Sequence, residues 1–337
     1  MRGVRKTRHH RRKHAKNKSA SSSRNDKKMV INQAFPEISQ PEKVNCSPVA
    51  QKQAHLPGSC YTESALRLVR DAYNKMHATD PVLDEDPRRM YSHLKNKLEP
   101  TCGAKENCWL NEISDPKVRH NLEDTTFATP QPSEWKREPN KWLSNFDLEN
   151  VLKQYELAYP EFHLLGPTVL DYDFVEADGA CVEEEMCHFS LKDLLDPPDK
   201  STTKKTMLSI IFNLSKHDEP GTHWTTMFVD CNNKFIYYYD SALNPVPAQI
   251  TKFRKEIMRQ GKRLGIHFKY HQNNHQHQKS NTECGMYSLF FTIVMLTGKI
   301  SSESNRVLSP QEKIRIFSKS VIPDEIMKKH RSIYFNN

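Results

Sequence analysis

The chain has 337 residues, of which 36% are hydrophobic and 27% charged, enough to bury one large core with an extension or two smaller cores. Its longest apolar run, Leu289 to Leu296, is far shorter than the roughly 18 residues a membrane-spanning helix requires, so no membrane partner is expected. The net charge of +9 is local: residues 1–28 hold twelve Lys or Arg against Asp26 alone, while the rest of the chain has 38 basic and 40 acidic side chains.

The basic stretch, with its histidines and serines and almost nothing apolar to bury, is expected to be a disordered tail over 1–28. Counterion release would give it salt-sensitive, sequence-blind affinity for DNA or RNA, and such clusters also serve as nuclear-import signals. The eight cysteines are scattered and no secretory signal is seen, which points to a reducing compartment rather than a disulfide framework. Residues 29–59 carry prolines and no sustained period and are expected as linker.

A helical extension is expected over 60–135. Thr62 can cap a helix carrying Leu66, Val69 and Tyr73, and Met90, Leu94 and Leu98 predict a second helix ending before Pro100. Cys102 and Cys108, and later Cys181, Cys187 and His188, raise the question of structural zinc. The Cys-x5-Cys spacing is not that of the usual zinc pair, so none is expected. The stretch 115–139, rich in Pro, Thr and charge, predicts a loop.

The catalytic unit is expected over 136–337. Ser144 with Asp147 resembles a capping box, and Leu148, Val151, Leu152 and Tyr155 fall on one helix face. Residues 206–214 predict a buried strand, Thr225 to Asp230 and Phe235 to Tyr239 two more, and Ile266, Phe268 and Tyr270 alternate as another. Between them, Ile250, Phe253, Ile257 and Leu264 predict a long amphipathic helix stopped at Gly265. The fold class is therefore α+β, a mixed sheet flanked by helices with an N-terminal helical extension. The loop 271–278 holds His271, His275 and His277, but their spacing suits a polar groove wall better than a metal site.

The segment from Gln278 to Gly298 passes from polar residues through Cys284-Gly285 into an apolar helical run that Gly298 can cap. A cysteine in the first turn of such a helix sits where unpaired N–H groups and the positive end of the macrodipole favour the thiolate. Taken alone it would more often be a small buried hydrophobe. His223 opens one strand and Asp240 ends another, so the chain supplies a nucleophile, a base and a group to orient that base, in the order His, Asp, Cys. Gln278, or failing that Asn281, can supply an amide donor to an oxyanion, and Trp224 can wall a substrate groove or simply pack in the core.

His223-Trp224, Tyr239-Asp240-Ser241 and Gln278 six residues before Cys284-Gly285 resemble the signature of the ubiquitin-like-protein protease clan, which includes the SUMO-specific and adenovirus maturation proteases. The likeness is strongest to the polyprotein-processing proteases of African swine fever virus and other large DNA viruses, and runs from about Trp142 to Gly298. Asp240 stands where the swine fever enzyme has Asn, and Glu283 where SUMO proteases have Asp. The resemblance implies a mixed sheet flanked by helices, a cysteine peptidase with no cofactor, and a polypeptide substrate with glycine before the scissile bond. It also implies cleavage of viral structural precursors during virion maturation, in host cytoplasm and virion, with the nucleus as an alternative given the basic tail. Two other functions remain open from sequence: a deconjugating protease for ubiquitin-like proteins, and a nucleic-acid-binding structural protein with an inert protease-like domain.

Overall fold

The computed structural model describes residues 45–300 and 306–336. The basic tail expected at 1–28 and the first half of the linker lie outside the described residues. The rest of that linker is not one: Cys46 bridges to Phe127, Ser47 caps a short helix α1 (Pro48–Lys52), and His55 pairs with Thr62.

The extension is built as its apolar spacing dictates. Helix α2 (Glu63–Met76) starts at Thr62, whose hydroxyl accepts the Ala65 N–H, and buries Leu66, Val69 and Tyr73. Helix α3 (Pro87–Cys102) buries Met90, Leu94 and Leu98 against it. Pro100 does not end α3 as expected. It falls in the last turn, where only one or two backbone bonds are at stake, and the helix closes on Gly103. The stretch 115–139 is likewise not only loop: Asp115 caps α4 (Pro116–Thr126) with Pro116 at the first helical position, the favoured arrangement for both residues. Tyr61 and Trp109 stack in the core of this unit; the Tyr61 hydroxyl donates to the Glu106 carbonyl, and the Glu106 carboxylate accepts from Ser59, the Cys60 N–H and Tyr91.

Six cysteines are paired, which overturns the expectation of scattered thiols: Cys46–Cys60, Cys102–Cys108 and Cys181–Cys187. The linear spacings gave no sign of this, because the pairs are brought together by turns. Gly103 reverses the chain between Cys102 and Cys108, and the isolated pairings at Cys46 and His55 fold Cys60 back. Cys231 and Cys284 are free.

The main sheet has five strands in sequence order: β1 (Phe162–Thr168), β2 (Met207–Asn213), β3 (Trp224–Asp230), β4 (Phe235–Tyr239) and β5 (Lys269–Gln272). The outer pairs β1–β2 and β4–β5 are parallel, the inner pairs antiparallel. Alternation sorts the inner strands. Leu208, Ile210 and Phe212, Met227 and Val229, Ile236 and Tyr238 join one core with Ile250, Phe253 and Ile257 of α8 (Ala248–Arg263). Two short helices, α6 (Glu184–Cys187) and α7 (Leu191–Leu195), add Met186 and Leu191 to that core.

The opposite face receives α9 (Cys284–Thr297), in which every residue from Cys284 to Leu296 is buried. Phe291 stacks on Tyr239 with centroids 4.6 Å apart, and the Ser209 and Thr292 hydroxyls meet at 2.9 Å. Gly298 ends the helix in the left-handed region, at φ 70°. Helix α5 (Asn145–Ala158), started by the Ser144/Asp147 capping box, packs on β1. Two C-terminal helices that the sequence did not suggest, α10 (Pro310–Lys319) and α11 (Asp324–Tyr334), close over α9. Asn336 then bonds Asn45, Ala128 and Thr129, tying the C-terminus to the extension.

One ion cluster ties an edge of this scaffold. The ring of His163 on β1 bridges Glu156 of α5, at 2.7 Å, and Glu185 of α6. Burial alone would lower the imidazole pKa, but the two carboxylates outweigh it and lift the value to about 9. A raised folded-state pKa contributes stability that is complete below the ordinary histidine value of about 6.5 and is lost as pH rises through about 9. His163→Gln should therefore destabilise the protein by about 2 kcal/mol near pH 7, with the gap to wild type closing toward about pH 10, as read by denaturant unfolding at both pH values.

Candidate active site

Three elements end at one edge of the sheet, and each delivers one candidate catalytic side chain. β3 begins one residue after His223, β4 ends one residue before Asp240, and α9 begins at Cys284. The antiparallel register pairs Thr226 with Tyr239, so the residues just beyond these strand ends, His223 and Asp240, are neighbours. Their side chains meet: His223 Nε2 lies 2.6 Å from Asp240 Oδ1. The Cys284 thiol stands close enough to the ring to contribute to its charge state. With Nε2 taken by Asp240, Nδ1 is the nitrogen left for the sulfur.

Each member is held from behind. The Asp240 carboxylate, almost wholly buried, also accepts the Ala242 N–H at 2.9 Å and the Asn244 N–H at 2.8 Å, so its charge is satisfied without solvent. Asn273 pins the Asp240 backbone from both sides, accepting its N–H at 3.1 Å and donating to its carbonyl at 2.7 Å. The loop before His223 is fixed by Asn213, which accepts the Thr222 N–H at 3.0 Å. Gly221 is needed there, because a Cβ would lie 2.8 Å from the Asn213 amide.

The electrostatics follow from the geometry. Burial works against a charged His223, but the bond to Asp240 and the nearby Cys284 thiol outweigh it and raise the imidazole pKa to about 9. The ring is thus cationic across the neutral range and faces a thiol in the first turn of a helix. Cys231, the other free thiol, is buried with no such partner, and burial pushes its pKa up to about 12. A thiol beside an imidazolium that a carboxylate holds in one tautomer can act as a nucleophile in acyl transfer.

Gln278 lies in the loop before α9, buried, with Oε1 accepting from Ser241 at 2.7 Å and Nε2 donating to the Ser280 carbonyl at 2.6 Å. One N–H of its amide remains. Asn281 is exposed. Trp224 is buried to 8% exposure, and its indole N–H donates to the Leu143 carbonyl at 3.0 Å. The same Leu143 packs on Gly285, where an added Cβ would come within 3.0 Å of it. Beside this contact opens a cleft of about 450 Å³ lined by Trp142, Leu143, Pro167, Glu183, Thr222 and Trp224.

The loop histidines do not form a ligand set. His277 is buried, donates from Nε2 to the Phe317 carbonyl and accepts the Ile322 N–H at Nδ1, and burial lowers its pKa to about 4. Its role is to carry the loop as a neutral ring, while His275 is exposed. Cys181, Cys187 and His188 do bring potential ligand atoms within 4.8 Å of one another, but the two sulfurs are bonded to each other and so are not available as thiolates.

Several residues that build the site carried no local signal. Asp324, 44 residues beyond Ser280, accepts the Ser280 N–H at 2.8 Å and the Tyr287 hydroxyl at 2.9 Å, fastening the Gln278 loop to α9. Arg331 pairs with Glu283 at 3.0 Å, immediately before the cysteine. Both come from α11, and only the tertiary fold brings them here.

Residues 195–331 match the family model described as the Ulp1 protease family, C-terminal catalytic domain. A protein of Acanthamoeba polyphaga mimivirus that bears the name of a thiol protease is 28% identical over 221 residues, covering 64% of this chain and 68% of its own. A cysteine protease of African swine fever virus is 28% identical over 180 residues, 50% of this chain and 61% of that protein. The crystal structure of the swine fever virus protease superposes with a TM-score of 0.55 at 20% identity, over 88% of this chain and 98% of the other, which makes the fold common to both. His223, Asp240 and Cys284 all fall within the matched range, and the chain is a cysteine-type peptidase whose residues 195–331 are similar to the Ulp1 catalytic domain.

Proposed function

We propose that this chain is an endopeptidase that processes viral structural polyproteins at junctions with glycine before the scissile bond. The observation that carries the proposal is the His223–Asp240 contact of 2.6 Å, with the Cys284 thiol near enough to the same ring to help hold its charge. In this reading the Cys284 thiolate adds to the scissile carbonyl carbon, and the resulting oxyanion is met by the Cys284 N–H and the free N–H of Gln278. His223 gives its proton to the leaving amine as the C–N bond breaks, leaving a thioester. It then takes a proton from the water that hydrolyses that thioester and returns the sulfur to its starting state. Asp240 keeps the ring in one tautomer and balances its charge. The preference for glycine is supported by the Trp224 ring, fixed through Leu143 at the wall of the cleft, since a residue without Cβ passes most easily beneath a bulky ring.

Cys284→Ala and His223→Ala should each lower kcat/KM on a Gly-Gly-X peptide by on the order of 10⁴-fold with the fold retained, and Asp240→Asn should retain more activity than His223→Ala. A His223→Ala protein that turns over like wild type would defeat the assignment of the base. Replacing the glycines by alanine should abolish cleavage. A chain that ignores the peptide but trims a ubiquitin-like precursor would instead be a deconjugating enzyme.

Gln278→Ala should reduce kcat by about 10²-fold with little change in KM, and Asn281→Ala should change neither by more than about twofold. The opposite ranking would move the donor role to Asn281. Gly285→Ala should push Leu143 outward and unseat the Trp224 ring, costing about 1–3 kcal/mol of stability and raising KM for the peptide, as read by thermal unfolding and steady-state kinetics.

A further inference from the structure

Glu283 is the N-cap residue of α9, at φ −100° and ψ 2°, yet its side chain makes no capping bond to the helix. A side-chain oxygen at this position ordinarily accepts the second or third N–H of the helix, here Gly285 or Met286. Instead the carboxylate, fully buried, is turned away. One oxygen takes both Nε of Arg331, at 3.1 Å, and Nη2, at 3.0 Å, and the other takes the Thr282 hydroxyl at 3.1 Å. Arg331 is itself built in. It donates to the carbonyls of Lys141 at 3.1 Å and Thr282 at 3.4 Å, and its guanidinium lies 4.3 Å from the centre of the Trp135 ring. The two residues just before Cys284 are thus held by one planar fork, through the Thr282 carbonyl and the Glu283 carboxylate, a geometry that lysine cannot reproduce.

We propose that Arg331 is a positioning residue for the nucleophile: it withdraws the Glu283 carboxylate from the start of α9, so that the first-turn N–H groups stay open to the oxyanion and no negative charge sits beside the Cys284 thiol. Without the arginine, the buried carboxylate keeps only the Thr282 hydroxyl, and the first-turn N–H groups are the ordinary partners of a side chain at this position. A carboxylate placed there would both occupy the helix start and disfavour the thiolate. Arg331 also carries a positive charge near the sulfur: burial works against that charge, and Glu283 and then Cys284 oppose the effect.

The inference rests on Cys284 being the nucleophile, and the test separates the two. Full-length wild type, Arg331→Met and the double variant Glu283→Ala/Arg331→Met are assayed on a Gly-Gly-X peptide, with competent sites counted by a covalent thiol inhibitor. Arg331→Met should lose about 10²-fold in kcat per competent site with KM changed by less than about twofold. Removing Glu283 as well should restore at least about tenfold of that loss, although the double variant still lacks every Arg331 contact to Trp135 and Lys141. If Arg331→Met does not accumulate folded, Arg331→Lys replaces it, with an expected loss of about tenfold in kcat. A kcat per competent site equal to wild type in the arginine variant, or a double variant no better than the single, overturns the proposal. A wild type that does not cleave, and whose Cys284 reacts with iodoacetamide no faster than Cys231, overturns the protease reading instead.

Discussion

An α-helix leaves its first N–H groups without partners in its own backbone, and α9 begins that way in the interior of the protein. A buried helix start without a cap is unfavourable unless burial of the rest of the helix compensates. Here it does, because the whole length from Cys284 to Leu296 is sequestered, and full burial of a Phe, Leu, Val or Met contributes about 1.5–3 kcal/mol. The open N–H groups are thus maintained by packing elsewhere along the same helix. In the proposed reaction they would give the site two properties at once, a favourable field for a thiolate and a donor for a developing oxyanion.

The other members of the site follow from strand ends. A hairpin in one register brings the start of β3 beside the end of β4, so that His223 and Asp240 meet where the ladder stops. Slipping that register by one residue would turn the two side chains to opposite faces. What fixes the register is the buried alternation along β3 and β4, with Met227, Val229, Ile236 and Tyr238 facing α8 and Tyr237 and Tyr239 facing α9. The two C-terminal helices then hold the approach to α9 from outside, through Asp324 and Arg331. The extension contributes too, since Trp135 carries the guanidinium and Asn336 clamps the chain end to it.

Much of this was legible in the sequence where the determinant is local. Thr62, the Ser144 and Asp147 box, and Gly298 each act within one turn of a helix, and each does what its type and position predict. That His223, Asp240 and Cys284 would come together was legible because acyl-transfer chemistry restricts such a set to few residue types, each at the edge of a regular element. The Asp115-Pro116 helix start was present in the sequence and passed over, because the composition of the surrounding segment reads as loop. Arg331 and Asp324 could not have been found this way. Each acts on residues about 45 positions distant, and the helix that carries them has no motif of its own. The disulfides were hidden for a different reason, since paired, free and metal-bound cysteines share the same linear spacings and only the folded chain shows which sulfurs meet.

Two thiols in this chain are free, one beside an imidazolium and one buried without a partner, and the central claim is that only the first is a nucleophile. The most direct measurement is to treat the native full-length protein with a peptide that ends in Gly-Gly bearing a thiol-reactive group in place of the scissile bond, and to locate the adduct by mass spectrometry. Stoichiometric modification of Cys284 that is lost in His223→Ala is the result this account predicts. An adduct on Cys231, or labelling of Cys284 that does not depend on His223, would contradict it.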